Sequence, residues 1–263
     1  MRFRILGSGS KGNSCVVQTR DALFLIDNGF SGKEVVRRLE EAEVKPRDIN
    51  GIIVSHEHND HIRGVGILAR RFALPVYITH QTYAVIKNTL KNTEIRYFRQ
   101  GETISYEDLE IETFALPHDA VDPVGFTFAQ RNGSAHRHKL GYVTDLGQVT
   151  TLVKQRLQNI DALVLEANHD EHMLLNGPYP WNTKQRIRGR YGHLSNTVSG
   201  ELITEILAKT GITEVTLAHL SENNNDPNLA RDTIMETVEK KCGKEVAVHV
   251  ASQHRVSREI TLE

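Results

Sequence analysis

The sequence predicts an α+β protein in which two sheets pack face to face, with helices on their outer faces. Three observations predict this. Short strands come first as meanders and then alternate with helices, and the chain runs through that order twice. Five apolar strand-like runs end in a His, Asp or Glu: His56, His118, Asp145, Glu166 and His219. No low-complexity linker divides the 263 residues, so a single domain over residues 1–263 is expected.

Taken in order, residues 3–6 read as a short strand leading into Gly7-Ser8-Gly9-Ser10-Lys11-Gly12-Asn13-Ser14. This turn either lets backbone approach a ligand or closes a hairpin. It is not a P-loop, since no Gly-Lys-Ser/Thr opens a helix after it. Residues 14–19 and 22–27 form a hairpin around Arg20-Asp21, ended by Asp27-Asn28-Gly29. Ser31 and Glu34 have capping-box spacing, and Val35, Val36, Leu39 and Ala42 give a helical stripe that stops before Pro46. Residues 51–55 are a buried strand, 64–72 a helix, 75–79 a strand and 83–90 a helix. From 94 to 129 the pattern is mostly short strands, with clean alternation over 109–115. A strand at 140–144 is followed by a helix at 148–158, with Val149, Leu152, Val153 and Leu157 on its apolar face, and by a buried strand at 162–167. Val198, Leu202, Ile203, Ile206 and Leu207 mark the next helix, closed by Gly211. A strand at 215–218 ends at His219. Asp226-Pro227 is an N-cap followed by Pro at the first helical position, and that helix buries Ala230, Ile234 and Val238 and stops at Gly243. Residues 246–250 read as the last strand.

Composition narrows the function. The net charge of -1 supplies no global basic field, so nucleic-acid binding would have to rest on local patches. Two cysteines, Cys15 and Cys242, build no disulfide framework and fit a reducing cytoplasm. The opening residues go straight into a strand, with no signal-peptide apolar region and no run near the roughly 18 apolar residues of a membrane span. A cytoplasmic protein without a membrane segment is expected.

The unusual count is 13 histidines. His56-Glu57-His58-Asn59-Asp60-His61 puts three of them and an aspartate within six residues, directly after the strand at 51–55. Imidazole and carboxylate are the donors that suit zinc or manganese. Crowded at a strand end, they would repel one another or stay unsatisfied without a cation. His56, His58 and His118 with Asp145 make one centre. Asp60, His61 and His219 with Asp145 make a second, the Asp145 carboxylate bridging the two. Each centre keeps an open position for a shared water or hydroxide.

These residues, in this order, resemble the metallo-β-lactamase superfamily, whose motif is His-x-His-x-Asp-His followed by a His, an Asp and a His. The resemblance covers nearly the whole chain and implies a four-layer αβ/βα sandwich, the metallo-β-lactamase fold, holding two divalent metal ions (zinc or manganese). True β-lactamases typically carry Cys where Asp145 stands and lack His61 as a ligand. The chain is therefore similar to the dinuclear hydrolase and phosphodiesterase branch. Leu165-Glu166-Ala167-Asn168 and Gly192-His193-Leu194-Ser195 resemble segments of the tRNA 3′-processing nucleases. There the glutamate and histidine are paired, which implies that His193, steadied by Glu166, protonates the leaving 3′ oxygen. An alkoxide leaving group needs such an acid. Asp60 would ligate a metal and orient the nucleophile.

Residues 172–200 carry Lys184, Arg186, Arg188 and Arg190, with Tyr179 and Trp181 just before them. Cations suit phosphates and aromatics stack on unpaired bases; a solvated basic face is the alternative. The opening Leu-Gly-Ser-Gly-Ser-x-Gly-Asn-Ser, residues 55–61, Thr144-Asp145-Leu146-Gly147, residues 192–196 and 218–223 resemble the YycJ/WalJ-type bacterial family. That implies a metal-dependent 5′→3′ exonuclease on single-stranded DNA. No long Gly/Pro-rich insert lies between Asp145 and His193, which argues against tRNA processing.

Two other functions compete. Thioesterases or lactone hydrolases of the glyoxalase II type share the same seven donors, and the donors alone do not separate thioester from phosphodiester. A metal-containing nucleic-acid-binding or sensor module is the non-enzymatic reading; an intact donor set argues against it. Ser8, Ser10, Asn13, Ser221 and Asn223 either contact a phosphate or shape their loops. His80 is expected in a loop, His136 and His138 at a hairpin tip, and His169 and His172 behind the site. His249 and His254 lack partner ligands.

Overall fold

Alternating apolar residues and tight Gly/Asn/Asp turns fold the first chain segment back on itself. β1 (Arg2–Gly7), β2 (Ser14–Gln18) and β3 (Leu23–Ile26) form an antiparallel meander. In the computed structural model, which describes residues 1–131 and 137–262, α1 (Gly32–Glu41) then crosses to β4 (Gly51–Ile53), laid parallel to β3. α2 (Asn59–Ile62) and α3 (Val65–Phe72) lead to β5 (Val76–Thr79), and α4 (His80–Ile86) leads to β6 (Ile95–Phe98). Both strands add in parallel.

The second half repeats the plan. β7 (Thr103–Tyr106), β8 (Leu109–Ala115), β9 (Val124–Gln130) and β10 (Lys139–Val143) form an antiparallel meander. Helices and parallel strands then alternate: α5 (Thr151–Arg156), β11 (Ala162–Glu166), α6 (Glu171–Asn176), α7 (Trp181–Arg188), α8 (Asn196–Lys209), β12 (Glu214–Ala218), α9 (Pro227–Lys241) and β13 (Ala247–Val250). β14 (Ile260–Thr261) returns to pair with β1. The sheets run β14-β1-β2-β3-β4-β5-β6 and β13-β12-β11-β10-β9-β8-β7.

The expected layering is present. Phe24, Ile26, Phe126, Phe128, Tyr142 and Val164 belong to one core between the sheets. The outer faces bury separate cores. Leu25, Leu39 and Leu68 pack with α1 and α3, and Leu163, Ile203 and Ile234 with α8 and α9. No helix among the described residues is long and apolar enough to cross a membrane.

Some boundaries differ from expectation. α4 begins at His80 and ends at Ile86, because the Thr79 hydroxyl caps it by accepting from Thr82 N. His80 thus opens a helix and is not in a loop. α5 starts after the Thr150 cap, later than 148. Residues 172–200 hold most of α6 and all of α7, which lack a strong apolar stripe; α7 buries none of its residues. The strand at 246–250 is not the last, since β14 follows. His136 lies outside the described residues. The Asp226 cap is as expected, its side chain accepting from Asn228 N and Leu229 N.

Arg38 ties the outer layer to the turns. Its side chain is 5% exposed and donates to Leu6 O at 2.7 Å, Gln253 O at 3.1 Å and Glu34 Oε1 at 2.7 Å. Its guanidinium lies 4.0 Å over the Phe30 ring. Arg38→Ala leaves two buried carbonyls without donors and is expected to cost about 3 kcal/mol. Denaturant titration measures it; an unchanged midpoint would contradict this role.

Candidate metal centre

The site sits where strands of both sheets end. Asp27 and His219 directly follow β3 and β12, and Asp145 stands just beyond β10. All three have left-handed backbone, with φ of 54° at Asp27, 60° at Asp145 and 55° at His219. A residue with a Cβ pays about 1–2 kcal/mol for that geometry. Glycine would relieve the strain but has no donor group, so the kink serves to turn the side chain inward.

The loop after β4 carries His56, and α2, starting after His58, brings His61 round by one turn: His61 N donates to His58 O at 2.9 Å. Neighbouring turns pin this loop. Asn13 N donates to Asp60 O at 2.8 Å, and Asn28 N to His61 O at 2.7 Å. At Gly29 a Cβ would lie 1.8 Å from Asp60 O, so only glycine permits this approach.

The donors converge in groups: His56, His58 and His118; His56, His61 and Asp145; Asp60, His61 and His219. Within each group one donor atom per residue lies within 4.8 Å of the others. His118 Nε2 is 3.3 Å from His58 Nδ1, His219 Nε2 is 3.3 Å from Asp60 Oδ2, and His61 Nε2 is 3.1 Å from Asp145 Oδ2. That last approach lacks hydrogen-bond alignment, since Asp145 Oδ2 is buried without a hydrogen-bond partner, as is His56 Nε2. Buried lone pairs left unpaired and aimed at one space are what a divalent cation satisfies. The donor set fits a metal, and all seven expected donors are in it.

Outer partners aim the rings. Ser55 Oγ meets His56 Nδ1 at 2.9 Å, Asp27 Oδ2 meets His61 Nδ1 at 2.7 Å, Gly192 O meets His118 Nδ1 at 3.0 Å, and Glu166 Oε2 meets His219 Nδ1 at 3.1 Å. Each contact leaves Nε2 for the centre. Asp27 also accepts from Ser55 N and Oγ. Sequence reading missed Asp27, treating it as the end of a hairpin. The signal was there: it follows an apolar strand just as Asp145 and His219 do.

Glu166 and His193 meet as expected, with His193 Nδ1 2.9 Å from Glu166 Oε2. Glu166 Oε1 accepts from Leu194 N and Oε2 from Asp145 N, so the carboxylate is buried and fully engaged. Burial raises its pKa, but His193 and His219 more than reverse this and hold it at about 2. Burial likewise opposes the charge on His193, and Glu166 outweighs it, so its pKa rises. Burial lowers the His169 pKa to about 4, while His172 is exposed.

Of the residues left open between phosphate contact and loop shaping, three are buried and hydrogen-bonded within the fold. Ser8 and Asn13 are buried; Ser8 Oγ accepts from His219 N and donates to Asn13 Oδ1, and Asn13 Nδ2 reaches Asp60 Oδ2 at 3.2 Å. Ser221 is buried and accepts from Asn224 N, shaping its loop. These bonds take up the Ser8 and Ser221 hydroxyls and the Asn13 amide inside the fold. Ser10 and Asn223 are exposed, and Asn223 donates to Tyr179 Oη at 2.9 Å. Lys184 is tied to Leu175 O. Arg186 reaches the rim, its Nε 2.5 Å from Asp119 Oδ2, and Asp119 Oδ1 is 3.3 Å from His118 Nε2. Arg188 and Arg190 are exposed, as are Trp181 at 60% and Tyr191 at 51%. His249 and His254 pair with Glu214 and Glu222, away from the donors.

Metal uptake is expected to release protons. Burial opposes the cation at His219, yet Asp145, Asp60 and Glu166 outweigh it and raise its pKa to about 10. His61 is raised too, by Asp145, Asp60 and Asp27 against burial. The raised pKa values favour the protonated rings without metal, and ligation removes that proton. Affinity should therefore climb with pH up to about 10. Calorimetry in buffers of different ionisation enthalpy measures the release; buffer-independent heats would contradict it.

The fold and the donor set define a hydrolase of the metallo-β-lactamase type. Residues 23–220 match the beta-lactamase superfamily domain. The chain is 36% identical over 244 residues to exodeoxyribonuclease YycJ of Bacillus anthracis, covering 92% of this chain and 90% of that one. It is 36% identical over 239 residues to exodeoxyribonuclease WalJ of Streptococcus pneumoniae, covering 89% and 87%. Zinc-bound PqqB of Methylobacterium extorquens superposes with a TM-score of 0.71 over 100% of both chains at 17% identity, a likeness of fold. The chain belongs to the metallo-β-lactamase superfamily, in its YycJ/WalJ family.

Proposed function

We propose that the protein is a two-metal phosphodiesterase that degrades single-stranded DNA from its 5′ end. His56, His58, His118 and Asp145 hold one metal, and Asp60, His61, His219 and Asp145 the other. Zinc or manganese bound there would lower the pKa of water from about 15.7 toward about 7 and offset charge on the phosphoryl group. The chain's own groups do the rest. Asp60, braced by Asn13, orients the water. His193 gives its proton to the leaving 3′ oxygen.

The observation that carries this reading is the His193–Glu166 pair, 2.9 Å apart beside the metal donors. The His193 ring stacks on His219 at 5.2 Å and lies 5.1 Å from His118. A charged acid there matters for an alkoxide leaving group. A thiolate, with a pKa near about 8.5, leaves without one, which disfavours the thioesterase reading. Arg186, Arg188 and Arg190 would follow the phosphates, with Lys184, Ser10 and Asn223 flanking them, and Trp181 and Tyr191 offer exposed rings to unpaired bases. The relatives' names point the same way. A reducing cytoplasm suits Cys15 and Cys242, which are free thiols.

Incubating 3′-labelled single-stranded DNA and RNA with zinc- or manganese-loaded protein tests this. Stepwise loss from the 5′ end of DNA is expected. Inert DNA together with rapid hydrolysis of S-lactoylglutathione would overturn it.

A further inference from the structure

A second cleft opens on the same rim as the metal donors, at the far edge of the first sheet. It encloses about 760 Å³ and is lined by His80, Tyr97, Phe98, Arg99, Gln100 and their turn. β4, β5 and β6 are parallel, so their C-terminal ends lie on one side. Ile53 pairs with Tyr77, and Thr79 with Phe98. Three residues beyond Ile53 is His56, and three beyond Tyr77 is His80. One beyond Thr79 is again His80, and one beyond Phe98 is Arg99. His56, His80 and Arg99 therefore all follow the C-terminal ends of neighbouring parallel strands. At about 4.8 Å per strand, the ends of β4 and β6 lie about 10 Å apart.

The chemistry of this cleft is that of a base platform. Tyr97 is 51% exposed. Its ring is supported from behind, 5.3 Å from His80 and 5.5 Å from Tyr83, the latter edge-on at 80°. These contacts hold the ring and leave a face open. Phe98 is buried in the core and anchors the strand beneath. Arg99 is exposed and its guanidinium has no carboxylate partner among the described residues. Glu102 lies in the same turn, its carboxylate accepting from Arg99 N at 2.8 Å, and it makes no ion pair with the Arg99 guanidinium among the described residues.

The segment that carries His118 joins the cleft to the metal donors. Val121 N donates to Glu57 Oε1 at 2.7 Å, inside the histidine motif, and Gln100 Nε2 donates to Pro123 O at 3.2 Å, on the cleft wall. A polymer bound at the metals is long enough to reach the cleft across this segment. A small thioester or lactone has no use for it.

We infer that the His80–Tyr97–Arg99 cleft is a distal subsite for the substrate strand: one unpaired base stacks on Tyr97 while Arg99 meets the adjoining phosphate. The inference rests on the proposed phosphodiesterase function. With the ends of β4 and β6 about 10 Å apart, the phosphate at Arg99 lies a few nucleotides from the scissile bond.

The test is steady-state hydrolysis of single-stranded DNA of two to ten nucleotides by metal-loaded wild type, Tyr97→Ala and Tyr97→Phe. The ratio of KM for Tyr97→Ala over wild type is expected to grow with length, from near one on dinucleotides to about tenfold on decamers, with kcat held. Tyr97→Phe keeps the stacking face and should stay near wild type. A single abasic residue walked along the decamer should reproduce the KM rise at one position in wild type and add nothing there in Tyr97→Ala. Equal KM for wild type and Tyr97→Ala at every length, or an abasic profile shared by both, overturns the subsite while leaving the nuclease intact. Wild type that hydrolyses an activated aryl phosphodiester but no DNA of any length overturns the proposed function, and the subsite with it.

Discussion

Asp145→Asn is expected to lower DNA hydrolysis by roughly 10³-fold or more and to leave at most one metal per chain. Asparagine keeps the volume and one oxygen but loses the charge and the second ligating atom. Asp145 is the residue that the two proposed centres share: its Oδ2 is 3.1 Å from His61 Nε2, and its Oδ1 is 3.5 Å from His219 and 3.7 Å from His118. In the proposed arrangement, removing one outer donor weakens one centre, whereas removing Asp145 weakens both. The loss should also appear without any substrate. A metal at 100-fold over its dissociation constant stabilises the folded state by about 2.7 kcal/mol, a shift of about 5–10 °C for a chain of this size. The variant should show a smaller metal-dependent shift than wild type, and elemental analysis should count fewer ions. Two retained metals with a wild-type rate would remove Asp145 from the bridging position.

What the sequence makes legible here is the rare and the periodic. Four donors within His56-Glu57-His58-Asn59-Asp60-His61 have few bland explanations, and the others announce themselves by ending apolar strands. The twice-used order of meander and parallel strands follows from periodicity in the same way. Other features leave no such trace. β14 is two residues long and exists through its pairing with β1. α7 buries no side chain, and its following turn is held by His193 N donating to Ile187 O. Polar residues in a Gly-rich turn look alike whether they face outward, as Ser10 does, or inward, as Ser8 and Asn13 do. Only the backbone path decides, and that path depends on contacts such as Asp60 O against Asn13 N, far apart in sequence. Asp27 is the instructive case. Its position matched the pattern used for Asp145, but Asp at a hairpin end has an ordinary turn role that hid it.

His193→Ala is expected to slow DNA hydrolysis by roughly 10²–10⁴-fold while sparing an aryl phosphodiester whose leaving group is stable as an anion. The contrast follows from what the ring supplies. Its Nδ1 is held by Glu166, and its side chain remains partly open to solvent at 18%, so Nε2 can meet a leaving oxygen. Substrates that expel an alkoxide need that proton; an aryloxide does not. The pH profile gives an independent readout. Burial opposes the His193 cation, Glu166 outweighs burial, and the pKa is raised. The acid form therefore persists above the ordinary imidazole range and is lost as pH rises through the raised pKa, giving the DNA reaction an alkaline decline. Glu166→Gln removes the group that raises it, so the decline should move to lower pH. Because Glu166 also holds His219 Nδ1 at 3.1 Å, that shift is read at verified full metal occupancy. Equal losses on DNA and aryl diester in His193→Ala, together with an unmoved profile in Glu166→Gln, would make His193 a brace for the metal donors and return the acid role to solvent.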